Sequence, residues 1–336
     1  MMVLEFGIQS LSIPTPLQTL GSKEQHPWIL EKLNISVREV IINMWKGVFI
    51  PIITPFTGDN KLNIESLKAH IEWLISCNVD GIITVGSTGE SSLLSLEEKR
   101  EVFETAVKVV KKRIPVIGGT TADSTQDSIE LSIMAEKVGV DGLMIMPPIY
   151  SKVNMQQAYQ HLKDVALSVS IPVMVYNNPA RCMIDLSTDC VAELSKVKNI
   201  RYVKESSGEV NKIHKMVRKT EENFSVFTGF DTLALEAFAS GATGWVATSG
   251  NVVPKQCCEI MKLALKSDFS NAREKYYSLL PVLELIEESG HAIQCIKYVL
   301  NNTGNYKVGK ARAPLSLYEI SDEMKNNLLS MINALR

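Results

Sequence analysis

From Trp45 onward the chain alternates short, nearly continuous apolar runs with longer segments in which apolar residues recur at three and four. The two periods predict strands and amphipathic helices in turn. The apolar runs are VFIPIITPF (48–56), GIITVG (81–86), PVIGGT (115–120), GLMIMPP (142–148), PVMVYNNP (172–179), IRYVKESS (200–207), FSVFTGF (224–230) and GWVATSG (244–250). Strands this uniformly apolar are buried on both faces, as in a parallel sheet covered by helices. Between them lie stretches such as LNIESLKAHIEWLISCNV and SLEEKREVFETAVKVVKK, the second opening on Ser95 with Glu98 three residues on, a capping box. Eight strand–helix units predict an α/β fold, a closed (β/α)8 TIM barrel. A doubly wound open sheet is the alternative.

Two pieces fall outside the eight units. The barrel is expected over 44–266, and 254–336 reads as helical throughout, so 267–336 is expected to form a C-terminal helical bundle. Residues 1–43 lack the alternation and precede Met44; they read either as a poorly ordered N-terminal extension or as the result of an over-long start site.

Composition narrows the chemistry. With 45% apolar and 21% charged residues and a net charge of -2, nothing calls for nucleic acid or an anionic membrane. No apolar run approaches the roughly 18 residues of a membrane span, no targeting segment is evident, and a cytoplasmic location is expected. The six cysteines show no Cys-x-x-Cys spacing and the five histidines no paired-ligand spacing, so reduced thiols and chemistry without a metal or cofactor are expected.

Active sites of such barrels gather at the C-terminal ends of the strands. Four tails are polar here: Gly86-Ser87-Thr88-Gly89-Glu90, Pro147-Pro148-Ile149-Tyr150, Tyr176-Asn177-Asn178-Pro179-Ala180-Arg181 and Lys204-Glu205-Ser206-Ser207-Gly208. An ammonium group at the end of an apolar strand is costly unless paired or neutral. Lys204 therefore reads either as an amine nucleophile toward a ketone or as an interior lysine paired with a carboxylate such as Glu205. Tyr176 offers a phenol that passes protons, or a hydroxyl that merely finds a carbonyl. The Gly-Ser-Thr-Gly-Glu turn suits a small carboxylate, and Arg181 is either a fork for a substrate carboxylate or a surface arginine. The stretch GNYKVGKA (304–311) nearly spells a phosphate-binding loop but ends in Ala and follows a helix pattern, which excludes a nucleotide site.

At these tails the chain resembles the dihydrodipicolinate synthase and N-acetylneuraminate lyase family, barrel enzymes that form a Schiff base with pyruvate. The motifs Gly-Ser-Thr-Gly-Glu, Tyr-Asn-x-Pro and Lys-Glu-Ser occur in the family's order, and the likeness runs from about Trp45 to the C-terminus. The resemblance implies Lys204 as the Schiff-base lysine, Tyr176 as acid/base, and Ser87 and Tyr150 as a hydroxyl relay. It implies Thr88 as holder of the pyruvate carboxylate, Gly229 and Val246 as pocket lining, and Arg181 as the group that grips the carboxylate of aspartate semialdehyde. It further implies that the tyrosine at position 150 enters a neighbouring subunit's site, hence at least a dimer and commonly a homotetramer built of two dimers.

The family's members differ in the second substrate, and three features depart from typical synthases: Ser87 replaces Thr, Cys182-Met183 replaces the usual Thr-Gly and should alter its loop, and YVKESSGEVNKIHK and DTLALEAFASGATGW resemble paralogues acting on 2-keto-3-deoxy sugar acids or a hydroxyproline-derived pyrroline carboxylate. Those substrates stand as the alternative to aspartate semialdehyde. Leu96, Lys99 and Ile149 occupy the positions at which lysine-sensitive members carry two histidines and a tyrosine, so little lysine inhibition is expected.

Overall fold

The computed structural model describes residues 44–335 apart from 305, and the stretch 1–43 lies outside them. All eight apolar runs become strands: β1 Gly47–Pro51, β2 Gly81–Thr84, β3 Val116–Gly119, β4 Gly142–Ile145, β5 Val173–Asn177, β6 Ile200–Glu205, β7 Ser225–Thr228 and β8 Gly244–Val246. Every neighbouring pair is parallel and β8 returns to β1, closing the barrel. The open doubly wound alternative is thereby excluded.

Helices alternate with the strands as the pattern requires: α1 Ile64–Ser76, α2 Leu96–Val110, α3 Thr125–Val138, α4 Met155–Leu167, the single turn α5 Pro179–Cys182, α6 Thr188–Ser195, α7 Val210–Lys219, α8 Ala234–Ala239 and α9 Pro254–Leu265. The α2 capping box forms, Ser95 Oγ accepting from the Glu98 N–H and Glu98 from the Ser95 N–H. Three further helices follow: α10 Phe269–Glu287, α11 Ala292–Thr303 and α12 Asp322–Ala334. The expectation of unbroken helix to the C-terminus fails over 304–321. There, Gly309 at φ 71° would bring any Cβ within 2.1 Å of the Phe56 carbonyl oxygen, and the Phe56 N–H donates to Val308, so the segment is a strap laid against β1's exit loop.

Alternation divides the strand side chains between two cores. Outward residues such as Val48, Ile82, Val116, Val175 and Val203 pack under the helices, and inward residues such as Phe49, Ile83, Met174, Tyr202 and Phe227 fill the barrel. The end where the strands begin is plugged by aromatics. The Trp45 and Tyr202 rings stack 4.2 Å apart, Phe49 meets Phe227 edge-on at 5.3 Å, and the Trp45 N–H donates to the Tyr202 hydroxyl. Glycines make room for them. A Cβ on Gly142 would stand 2.2 Å from Trp45, and one on Gly244 2.1 Å from Phe227.

The β5–β6 pairing slips by one residue, from Val173 opposite Ile200 to Met174 opposite Tyr202. The extra residue, Arg201, acts as a bulge and brings Tyr202 and Lys204 to the interior face beside Met174 and Tyr176. Among the described residues no helix is long and apolar enough to cross a membrane, and all six cysteines are free thiols.

Candidate active site

Above the aromatic plug, at the strands' C-terminal ends, a cavity of about 390 Å3 opens. Ser87, Thr88, Tyr176, Arg181, Lys204 and Gly229 all line it, so six of the eight residues singled out above converge on one space. Val246 belongs to the buried interior core and is absent from that lining. Tyr150 is 86% exposed and outside it, so within one chain the hydroxyl relay of Ser87 and Tyr150 does not assemble. Its loop is nonetheless fixed: Asp123 accepts from the N–H groups of both Ile149 and Tyr150.

Lys204 is 5% exposed and stands opposite Tyr176 in the β5–β6 register, with Nζ 4.1 Å from the centroid of the phenol ring. Its ion-paired reading fails for a geometric reason. Glu205, the next residue, points to the helix side of the sheet, accepting from Asn177 at 2.9 Å and from the Ser207 N–H at 2.6 Å. Burial raises the Glu205 carboxyl above its ordinary value, and no carboxylate among the described residues pairs with Lys204. A buried amine without a counter-ion is the arrangement a nucleophilic lysine requires.

Gly229 supplies the space: a Cβ there would lie 2.3 Å from Lys204 Cε and 2.0 Å from Ser206 Oγ. The Tyr176 hydroxyl accepts from Asn178 Nδ2 at 2.7 Å. Burial pushes this phenol up, but Lys204, Asn178 and Arg181 together outweigh burial, and the net shift is downward. A phenol eased toward ionisation next to an amine suits the proton transfers of imine formation.

The β2 turn carries the opposite wall. Val85 and Glu90, on either side of Gly86-Ser87-Thr88-Gly89, sit in the left-handed region at φ 55° and 58°. For a β-branched valine this conformation costs on the order of 1–3 kcal/mol, and the surroundings must hold it. The turn is closed by the Ser91 N–H on the Gly86 carbonyl and tied down by Thr54 Oγ1 on the Gly89 carbonyl at 2.7 Å. Among the described residues the Thr88 hydroxyl and N–H have no protein partner, and both are open to a ligand.

On the β5 side, the exposed Arg181 sits on α5 at the cavity rim. Met183 closes that turn at φ 53°, a left-handed C-cap that glycine would take without strain. The cost of that conformation falls on one exposed side chain, while Cys182 is buried.

The remaining lining adds groups to which the reading of the strand tails gave no role. Ser206 Oγ is buried without a partner, and Asp231 and Glu287 add two carboxyls. Burial raises both, with Glu287 pushed to about 7 as the Asp231 charge adds to it. Ile286 and Glu287 at the end of α10 and Ala292 and Ile293 at the start of α11 reach the cavity, a contribution invisible to any reading confined to the barrel. No group of three or more metal-ligating side chains occurs among the described residues.

Residues 44–335 match the family model described as the dihydrodipicolinate synthetase family. The chain belongs to that family. A 4-hydroxy-tetrahydrodipicolinate synthase of Oceanobacillus iheyensis is 35% identical over 85% of this chain and 96% of its own, and one of Methanocaldococcus jannaschii is 35% identical over 87% and 99%. The crystal structure of the dihydrodipicolinate synthase of Aquifex aeolicus superposes with a TM-score of 0.80 at 33% identity, covering 87% of this chain and 98% of that one. Family membership makes the protein a lyase of the class I aldolase type on a TIM barrel.

Proposed function

We propose that the protein is a 4-hydroxy-tetrahydrodipicolinate synthase, joining pyruvate to aspartate semialdehyde in lysine and diaminopimelate biosynthesis. The observation that carries the reading is Lys204, buried, without an ion-pair partner and in register with Tyr176. Its amine adds to the keto carbon of pyruvate, and Tyr176 shuttles the protons as the carbinolamine loses water to an imine. Thr88 and its N–H hold the pyruvate carboxylate, with Ser87 beside it, and Gly229 bounds the space left for the methyl group. Loss of a methyl proton gives an enamine whose carbon bonds to the aldehyde of the second substrate. The semialdehyde's amino group then attacks the imine carbon, closes the ring and expels the Lys204 amine, which regenerates the enzyme. Arg181 receives the semialdehyde carboxylate at the rim.

No step needs a cofactor. The exposed Tyr150, with Leu96 54% and Ile149 41% exposed, supports a homotetramer in which Tyr150 completes a neighbour's relay. Free thiols fit the reducing cytoplasm.

One observation favours a second reading. The unpartnered Ser206 hydroxyl, with Thr248 also in the lining, would suit the hydroxyls of a 2-keto-3-deoxy sugar acid, or a hydroxyproline-derived pyrroline carboxylate, acting through the same imine. A coupled assay with these acids and aspartate semialdehyde decides: turnover with the semialdehyde dominant supports the synthase, and turnover only with the other acids overturns it.

A further inference from the structure

Away from the reacting atoms, the family turn ends on a buried ion pair. Glu90 is the fifth residue of Gly-Ser-Thr-Gly-Glu, and its Oε1 lies 2.5 Å from Lys297 Nζ on α11, the two side chains being 0% and 2% exposed. Its Oε2 accepts from the Arg312 N–H at 2.7 Å. Lys297 also donates to the Lys310 carbonyl at 3.1 Å, and its ammonium sits 4.3 Å over the Phe56 ring, which the Arg312 guanidinium covers at 4.2 Å. Arg312 in turn forks onto Glu98 and donates to the Leu93 carbonyl. One carboxylate thus fastens the cavity's turn to α11 and to the strap.

Such a pair adds little to stability compared with an apolar pair of similar volume, so its placement asks for another reason. Glu90 lies two residues beyond Thr88, in a turn whose left-handed residues need outside support. We propose that the Glu90–Lys297 ion pair is a positioning device: it holds the Ser87-Thr88 turn in the shape that receives the keto-acid carboxylate, so that the C-terminal helices set the affinity for pyruvate. The inference rests on the reading of Lys204 and Thr88 given above. It makes Glu90 and Lys297 positioning residues that touch no substrate. Burial pulls the Lys297 ammonium down to about 8 against the opposing pull of Glu90, so alkaline solution should weaken the same hold.

The test compares two ketones, pyruvate and its uncharged methyl ester, by the concentration at which each half-saturates borohydride trapping on Lys204. In Lys297→Met the pyruvate value should rise about tenfold or more while that of methyl pyruvate moves less than about twofold, with the labelled yield at saturation unchanged. Lys297→Arg, which keeps the charge, should restore pyruvate affinity at neutral pH and abolish the wild type's weakening above about pH 8. If Lys297→Met does not fold because Glu90 is left buried and alone, Glu90→Gln/Lys297→Met removes both charges and should show the same split. Equal shifts for the two ketones, or no shift for either, overturn the positioning role. A wild type that takes no label from either ketone overturns the Schiff-base reading itself, and this inference with it.

Discussion

Two residues apart on β6, Tyr202 and Lys204 face the same barrel interior and serve opposite ends of it. Tyr202 belongs to the plug, where aromatic rings are packed against glycine sockets and polar groups are matched. Lys204 belongs to the cavity, where its amine lies against the Tyr176 ring with no carboxylate paired to it among the described residues, and the Ser206 hydroxyl is buried without a partner. The plug contributes to stability, and the cavity gives up stability for chemistry. Mutations at the two ends should therefore separate cleanly.

The largest effect belongs to the cavity. Lys204→Ala should lower turnover by about four orders of magnitude or more and leave the melting temperature unchanged or higher, read by coupled assay and calorimetry. Tyr176→Phe removes the hydroxyl to which we assign the proton transfers and should cost about 10²–10⁴-fold in kcat while imine trapping still reaches Lys204 slowly. Arg181→Ala should raise the KM for aspartate semialdehyde by about 10- to 100-fold and leave the half-saturating pyruvate concentration for trapping within about twofold. At the plug the pattern reverses. Gly142→Ala forces a Cβ to 2.2 Å from Trp45 and 2.6 Å from the Pro172 carbonyl oxygen. It should destabilise by about 1–3 kcal/mol, seen in denaturant melts, with kcat per folded molecule unchanged.

A pH-dependent effect of similar size tests the ties between barrel and C-terminal segment. His70 is fully buried between the Tyr306 hydroxyl and Asn251 Oδ1, and burial lowers it to about 4. A histidine held neutral contributes stability that is present above its unfolded value near 6.5 and lost as pH falls toward 4. Stability should therefore drop between pH 6.5 and 4 by up to about 3 kcal/mol, and His70→Gln should flatten that slope.

The barrel was legible because parallel strands buried on both faces write themselves as unbroken apolar runs, and their polar tails stand out against them. That contrast singles out Lys204, Tyr176 and Thr88 as candidates. Whether Lys204 faces Glu205 is not written in it, since that depends on the bulge at Arg201 that sets which way Lys204 and Glu205 point. The strap over 306–321 reads as helix only by continuity with the helical segments on either side, and Gly309 and Pro314 interrupt it. Ile286, Glu287, Ala292 and Ile293 reach the cavity only through packing of α10 and α11 on the barrel, and no local pattern announces that.

The most direct test of the Lys204 nucleophile is peptide mass mapping after borohydride reduction in the presence of pyruvate. The peptide carrying Lys204 should gain the mass of one reduced pyruvate, and Lys204→Ala should gain none. Label on a different lysine, or an unlabelled wild type, would contradict the account.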